Sequence, residues 1–251
     1  MKRSLYNDDH LAFGASFKSF IAKEITPFYD QWEKDGIAPR EMYEKAGASG
    51  FLGMAIPEQY GGGGTNDFRF NAIISEELAA AGIGGAGAGI TLHNDITTPY
   101  YMEICTDEQK ARWLPGIASG ELITAIAMTE PGTGSDLASI ASTARKDGDR
   151  YILNGSKTFI TNGINSDIII VAAKTDPTQR HTGMSLMIVE RSMVGFERGR
   201  NLEKIGMHSQ DTAELFFNDV EVPVENLLGE EGRAFHYLTL NLAQERLSIA
   251  I

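Results

Sequence analysis

The sequence predicts an α+β fold: an all-helical N-terminal domain, an antiparallel β middle domain and the start of a C-terminal helical bundle. In residues 11–28, apolar side chains recur at the spacing of an amphipathic helix. After Gly120, Val, Ile, Thr and Phe gather into short runs that favour strands. Helical spacing returns after Gly232. We therefore predict domains at residues 1–120, 121–229 and 230–251.

The N-terminal domain is predicted from helical periodicity and capping signals. Gly36 and Pro39 close the first helix, and the last begins with a capping pattern of Thr106 and Gln109. The glycine-heavy stretches 61–64 and 82–89 are typical of connectors or of close-packed helix starts. The predicted helices after the first are residues 40–48, 71–81 and 106–116.

The middle domain is predicted from β-favouring runs and from turn dipeptides. Asp147-Gly148 and Asn154-Gly155 tolerate positive φ, which tight hairpins between antiparallel strands require. Such short links exclude helical crossovers between parallel strands. The predicted strands are residues 122–128, 151–153, 158–161, 168–173, 185–189 and 214–217.

The last predicted helix carries Phe235, Leu238, Leu242, Arg246 and Ile249 at three-to-four spacing. The chain stops inside this pattern without a C-cap signal, so the helix is expected to be the first of an incomplete bundle. Its four apolar side chains would then be exposed, and association with another chain is expected.

Composition excludes several function classes. The 251 residues carry a net charge of −12 with a pI near 4.9, which disfavours nucleic-acid binding. The single Cys105 cannot form an intrachain disulfide, and the five histidines form no ligand-spaced cluster with it, so no metal site is expected. The N-terminus has the character of neither a secretory signal nor a transit peptide, and no apolar run suits a membrane helix. A cytoplasmic protein is the expectation.

Glycines at 82, 84 and 87 match the dinucleotide-binding fingerprint letter by letter. They follow a predicted helix, whereas the fingerprint requires a preceding strand. A Rossmann site is therefore disfavoured.

Two polar segments are better candidates for a ligand site. Residues 128–136, MTEPGTGSD, leave a strand and enter a turn rich in hydroxyls and backbone donors, which can bind the polar edge of a flat ligand. Residues 155–163, GSKTFITNG, place Phe159 and Thr161 near the end of a strand. Taken singly, the first is equally typical of a surface turn, and the second of a core phenylalanine with a strand-end threonine.

Together the two segments resemble the motifs TEPxAGSD and KxFITN of the acyl-CoA dehydrogenase family. Further similar motifs follow the family's order: PEQYGG at 57–62, KIGMHSQDT at 204–212, EVP at 221–223 and NLLG at 226–229. DTAELFF at 211–217 and LAQERL at 242–247 are most similar to the long-chain branch. Thr133 departs from the family's common alanine, Ile126 from a frequent aromatic, and the remaining bundle helices are absent.

The resemblance implies FAD-dependent α,β-dehydrogenation of a fatty acyl-CoA to the trans-2-enoyl-CoA in lipid metabolism. It implies that Glu245, in an ERL sequence, is the base that takes the α proton; otherwise a helical glutamate is usually solvated and paired one turn away. The implied flavin-binding residues are Ile126, Ala127, Met128, Thr129, Glu130, Pro131, Gly132, Thr133, Gly134, Ser135, Phe159, Ile160 and Thr161. The implied substrate-binding residues are Ser135, His181, Thr182, Ala243, Gln244, Glu245 and Arg246.

The implied partners are an acyl-CoA substrate, an electron-transfer flavoprotein as electron acceptor and further copies of the chain in a homo-oligomer. Two alternatives stay open. One is an acyl-CoA oxidase-like flavoprotein, which the flavin motifs do not separate from a dehydrogenase. The other is a non-catalytic truncated or split subunit that needs a partner chain to supply the missing bundle.

Overall fold

A computed structural model describes residues 4–251 and contains helices at both ends of a β-sheet domain. The α-helices are α1 (Asp8–Phe20), α2 (Thr26–Asp35), α3 (Arg40–Ala48), α4 (Arg69–Ala80), α5 (Gly84–Thr91), α6 (Thr98–Ile104), α7 (Asp107–Ser119) and α8 (Ala234–Ala250). A π-helical turn at Ile21–Ile25 joins α1 to α2, and a second one at Leu92–Thr97, here called the π segment, joins α5 to α6.

The predicted helix signals are confirmed at several ends. Thr106 caps α7 in a reciprocal capping box with Gln109, and Gly36 ends α2 in the left-handed region with φ of 75°. The glycine-rich stretch after residue 82 is a close-packed helix start, one of the two predicted alternatives. A Cβ at Gly89 would lie 2.0 Å from Tyr43 Oη, so the glycine lets α5 approach α3. The helical run that continues to Ile104 was not predicted.

The middle domain is a single β-sheet. Its strands are β1 (Thr124–Ala127), β2 (Thr143–Asp147), β3 (Arg150–Thr161), β4 (Ile168–Lys174), β5 (Met184–Glu190), β6 (Phe196–Asn201), β7 (Thr212–Pro223) and β8 (Leu227–Leu228). The strand order is β6-β7-β3-β2-β4-β5-β8, with β1 paired to β4. Most pairs are antiparallel, but β1 runs parallel to β4, and β2 makes one parallel bridge to β4.

One of the two predicted hairpin turns is wrong. Gly148, with φ of 64°, does lie in the turn between β2 and β3. Asn154-Gly155 instead lies inside β3, at a shift of register against β7. A Cβ on Gly155 would lie 2.2 Å from Ser142 Oγ, so this glycine permits a close backbone approach rather than a turn. The two predicted strands on either side of it are therefore one strand.

The sheet separates two apolar cores because β4 is buried on both faces. Ile168 and Ile170 pack in a cluster with Trp113 of α7, whereas Ile169 and Val171 belong to the cluster on the other face. This is the alternation expected of a strand. A third core lies within the N-terminal helices, including Phe17, Ile25 and Ile74.

The C-terminal helix α8 packs against the π segment, α4, α6 and β5. The expectation that four of its apolar side chains are exposed is wrong for Leu238, which is 1% exposed, and correct for Ile249 at 77%. Phe235 and Leu242 are partly buried. Within residues 4–251 no helix has the length and apolarity needed to cross a membrane.

Candidate active site

Glu245 lies on the inner face of α8 and is only 7% exposed. Tyr100 Oη, on α6, donates a hydrogen bond to Glu245 Oε1 over 2.8 Å. Burial raises the pKa of Glu245 above its ordinary value, while the hydrogen bond from Tyr100 and the charge of Arg246 act in the opposite direction. A carboxyl group with a raised pKa can both take up and release a proton near neutral pH.

The loop of residues 128–136 is a tight turn whose outer residues are exposed. Glu130 and Thr133 exchange backbone hydrogen bonds of 2.9 and 3.1 Å, and Thr133 Oγ1 donates to Asp136 O over 2.7 Å. Pro131, Gly132, Gly134 and Ser135 are exposed. The turn is thus fixed internally, and its outer surface is open to a ligand.

A buried ion pair anchors this loop to β3. Lys157 Nζ lies 2.8 Å from Glu130 Oε1 and donates to Met128 O over 3.0 Å. The Glu130 carboxylate also accepts hydrogen bonds from the backbone N–H of Ala141 and Ser142. Burial acts to raise the pKa of Glu130, but the charge and hydrogen bond of Lys157, together with the hydrogen bonds from Ser142 and Ala141, hold this pKa below its ordinary value. The side chain of Glu130 therefore faces inward and supports the loop.

Phe159 combines an unusual backbone conformation with an exposed aromatic ring in the strand β3. The register between β3 and β7 shifts between Lys157 and Ile160, and Phe159 sits at this bulge with φ of 59°. Its ring is 69% exposed. A non-glycine residue in the left-handed region costs about 1–3 kcal/mol, and such strain and bulges concentrate at functional sites.

These features fit a flat aromatic cofactor. The bulge turns an aromatic ring outward, where it can pack on another ring, and the nearby exposed loop carries hydroxyl and backbone groups for a polar edge. Thr161 is partly buried at the end of the same strand. The side chains of Ile126, Ala127 and Ile160 are buried in the cores, so only their backbone atoms can face a cofactor.

The predicted substrate residues Ser135, His181 and Thr182 are exposed on neighbouring loops. Arg180 Nη2 lies 3.0 Å from Asp136 Oδ2 and so links the two loops. The His181 ring packs on Phe235 with 4.3 Å between ring centroids. A cavity of about 320 Å³ lies here, lined by His181, Thr182, Gly232, Arg233, Phe235, His236 and Thr239.

Comparison with known proteins identifies the family and supports the fold. A family model described as "Acyl-CoA dehydrogenase, N-terminal domain" matches residues 7–121, and one described as "Acyl-CoA dehydrogenase, middle domain" matches residues 125–220. The chain belongs to the acyl-CoA dehydrogenase family. The long-chain specific acyl-CoA dehydrogenase, mitochondrial, of Sus scrofa is 47% identical over 250 residues, which are 99% of this chain and 57% of that protein.

Solved structures of acyl-CoA dehydrogenases agree closely with this chain. The enzyme from Geobacillus kaustophilus is 55% identical with a TM-score of 0.96 over 99% of this chain and 65% of that chain. An acyl-CoA dehydrogenase complexed with FAD, from Bacillus anthracis, is 32% identical with a TM-score of 0.90 over 99% of this chain and 42% of that one. This chain therefore spans about three fifths of the length of the Sus scrofa and Geobacillus kaustophilus relatives.

In this member of the family, Ala243, Gln244, Glu245 and Arg246 lie on one turn of α8, with Ala243 and Arg246 exposed. Sequence reasoning missed Tyr100, the hydrogen-bond partner of Glu245. The two residues are 145 positions apart, and a tyrosine in a helix gives no local sign of such a contact. It also missed that Lys157, inside the quoted motif, pairs with Glu130.

Proposed function

We propose that this chain carries the catalytic base and the flavin-facing surface of an acyl-CoA dehydrogenase that converts a fatty acyl-CoA to the trans-2-enoyl-CoA. The observation that carries the proposal is Glu245, a buried carboxyl on the inner face of α8 with Tyr100 as its hydrogen-bond donor. Its raised pKa suits a group that takes the α proton and later releases it.

In the proposed reaction, the α C–H proton passes to a Glu245 carboxylate oxygen, and its electron pair forms the new carbon–carbon double bond. A bound FAD would supply the acceptor for the hydrogen that leaves the β carbon with its electron pair, a role that no side chain can fill. Burial of Glu245 keeps water away from the transferred proton, so the proton stays on the carboxyl group until it is released. Tyr100 keeps the carboxyl oriented during both steps.

The cofactor would be held by the exposed loop and the bulge of β3. Phe159 would pack on the flavin ring, and the hydroxyls of Thr129 and Thr161 with backbone groups of residues 126–135 would meet its polar edge. Ser135, His181 and Thr182 would contact the CoA part of the substrate. The Lys157–Glu130 pair would hold the loop in place from behind.

The proposal extends to substrate class and partners. Long-chain acyl-CoA is the proposed substrate, an electron-transfer flavoprotein the proposed electron acceptor, and a homo-oligomer or a partner chain the proposed assembly. A cytoplasmic location is part of the proposal, although the Sus scrofa relative is named as mitochondrial.

The test is the visible absorption spectrum of the purified chain with FAD, before and after anaerobic addition of a long-chain acyl-CoA. We expect the flavin band to bleach, and we expect Glu245→Gln to abolish bleaching while FAD stays bound. Glu44→Gln is the matched control, because Glu44 is an exposed helical glutamate on α3.

Three other results would contradict parts of the proposal. Bleaching that persists in Glu245→Gln would remove Glu245 as the base. FAD binding without bleaching would favour a subunit that needs a partner chain. Rapid oxygen consumption by the reduced protein would favour the oxidase-like alternative.

A further inference from the structure

Two cavities lie along the groove between α4 and α8, and residues of both helices line each of them. The first, here called the apolar chamber, has a volume of about 380 Å³, and Leu78, Leu92, Ile96 and Ile249 are among its lining residues. It also reaches Thr161, at the end of the proposed flavin-binding strand. The apolar chamber is therefore the cavity that an acyl chain would enter from the proposed reaction site.

The second cavity, here called the polar chamber, has a volume of about 410 Å³. Its lining includes Asn71, Asn94, Thr98, Glu103 and Gln244. The same three elements line both chambers, since α4, α8 and the π segment each contribute residues to the two linings.

The division between the two linings falls within one helical turn on α4 and on α8. On α4, Asn71 lines the polar chamber and Ser75 the apolar one; on α8, the corresponding pair is Gln244 and Ser248. On the π segment, Asn94 lines the polar chamber, whereas Leu92 and Ile96 line the apolar one. Asp95 follows Asn94 in the chain.

Asp95 bridges the groove and is 3% exposed. Its Oδ1 accepts a hydrogen bond from Asn71 Nδ2 over 2.6 Å, and its Oδ2 accepts one from Ser248 Oγ over 2.6 Å. Its backbone oxygen accepts a third from Gln244 Nε2 over 2.8 Å. A single residue thus joins α4 to α8 across the groove.

The π segment that carries Asp95 is itself firmly held. Asn94 exchanges hydrogen bonds with Phe51 O and Gly53 N over 2.8 and 3.0 Å. His93 donates through Nε2 to Ile117 O over 2.9 Å, so its Nδ1 is the acceptor for Thr124 Oγ1. Burial lowers the pKa of His93 to about 4, which keeps this ring neutral. Asp95 therefore cannot swing aside without breaking contacts to several elements.

We propose that Asp95, with Asn71 and Ser248, forms a polar wall that closes the apolar chamber and limits the length of the acyl chain it accepts. The inference rests on the proposed function, because it requires an acyl thioester bound with its chain in this chamber. An apolar chain that crossed the wall would break two buried hydrogen bonds and leave their partners unsatisfied, which is costly. Acyl chains that end before Asp95 meet no such cost.

The test is the affinity for saturated straight-chain acyl-CoA thioesters of increasing length, measured by isothermal titration calorimetry. The FAD-loaded chain carries Glu245→Gln, so that no turnover accompanies binding. Each methylene that enters the chamber should raise the affinity about fourfold until the chain reaches the wall, after which the affinity levels off.

Asp95→Ala removes the wall, so affinity should continue to rise for at least two further methylenes, about a sixteenfold gain for those longer chains. Asp95→Asn is the matched control, because it keeps the volume and an acceptor oxygen, and it should leave the limiting length unchanged. Asn71→Ala opens the α4 side while the Asp95–Ser248 bond remains, and it tests the wall if Asp95→Ala does not fold.

An unchanged limiting length in both Asp95→Ala and Asn71→Ala, with binding retained, would overturn the wall while leaving the proposed function intact. The same holds if Asp95→Asn shifts the limit as far as Asp95→Ala. Absence of thioester binding, or affinity independent of chain length in the chain with native Asp95, would overturn the proposed substrate and the wall together.

Discussion

Tyr100 donates a hydrogen bond of 2.8 Å to Glu245, although the two residues lie 145 positions apart in the chain. The bond joins α6 to α8. Burial favours the neutral form of the Glu245 carboxyl group, whereas the hydrogen bond from Tyr100 favours the carboxylate. Tyr100 is a positioning residue in this arrangement, because it acts on the ionisation and the orientation of Glu245.

Replacing Tyr100 with phenylalanine should move the acid limb of the pH–rate profile to higher pH. The proposed base Glu245 would act only when it is unprotonated, and the hydrogen bond from Tyr100 lowers its pKa. A hydrogen bond to a charged group contributes about 1.5–3 kcal/mol, which corresponds to a shift of about one to two pH units. The measurement is the rate of anaerobic flavin reduction by acyl-CoA as a function of pH.

Tyr101→Phe is the control for this variant. Tyr101 is equally buried on the same helix, and among the described residues its hydroxyl has no hydrogen-bond partner. Its removal should leave the profile in place. A profile of Tyr100→Phe that falls uniformly at all pH values would show that the residue only supports the fold.

Local sequence patterns predicted some features of the fold and missed others. Capping at Thr106 and the turn at Gly148 were predicted because each depends on neighbouring residues. The strands β2 and β6 were missed because their sequences, TARKD and FERGRN, are rich in charged residues and lack an apolar run. Asn154-Gly155 was misassigned because its glycine accommodates the close approach of Ser142, a contact that forms only in the folded sheet.

Replacing Phe159 with glycine should weaken FAD binding without lowering stability. Glycine relieves the positive φ at this position, so the free energy of unfolding should stay within about 1 kcal/mol of the native chain or rise. Loss of the aromatic contact should weaken FAD binding about threefold to tenfold. Urea denaturation of the apoprotein and FAD titration measure the two quantities separately.

Phe216→Ala is the comparison for this pair of measurements, because Phe216 is an exposed phenylalanine on β7 that is not among the proposed flavin-binding residues. It should leave FAD affinity unchanged. A loss of stability in Phe159→Gly above about 2 kcal/mol would mean that the ring supports the sheet instead of a cofactor.

Breaking the Lys157–Glu130 pair should destabilise the chain strongly. Glu130→Gln leaves the buried Lys157 ammonium without its counter-charge, which costs about 3–5 kcal/mol. Glu130→Gln combined with Lys157→Met should cost less than the sum of the single changes. The exposed pair Arg150–Glu221 is the control, and Glu221→Gln should cost less than about 1 kcal/mol.

The same pair predicts a pH dependence of stability. The pKa of Glu130 is held below its ordinary value of 4.5, so its stabilising contribution is present above pH 4.5 and is lost as the pH falls below that value. In Glu130→Gln the fall in stability over this range should be shallower. An equal slope in both proteins would contradict the assigned role of the pair.

The candidate site could be predicted only in part, for a physical reason. The motif around Phe159 was recognised from adjacent residues, but its exposure follows from a bulge set by pairing with β7. Asp95 gave no signal, since its role comes from Asn71 and Ser248, which lie on helices far away in the chain. Contacts between distant segments determine what a polar residue does, and a local pattern does not contain them.

The outer face of α8 should make the chain associate. Leu240 and Leu247 are 61% and 53% exposed and lie two helical turns apart, hence on one face of α8. Exposed apolar surface of this kind favours contact with another chain. Replacing both residues with glutamate should reduce association in sizing chromatography over a concentration series. Leu11→Glu, at an exposed leucine of α1, should have no such effect, and a native chain that elutes as a monomer at every concentration would exclude the association.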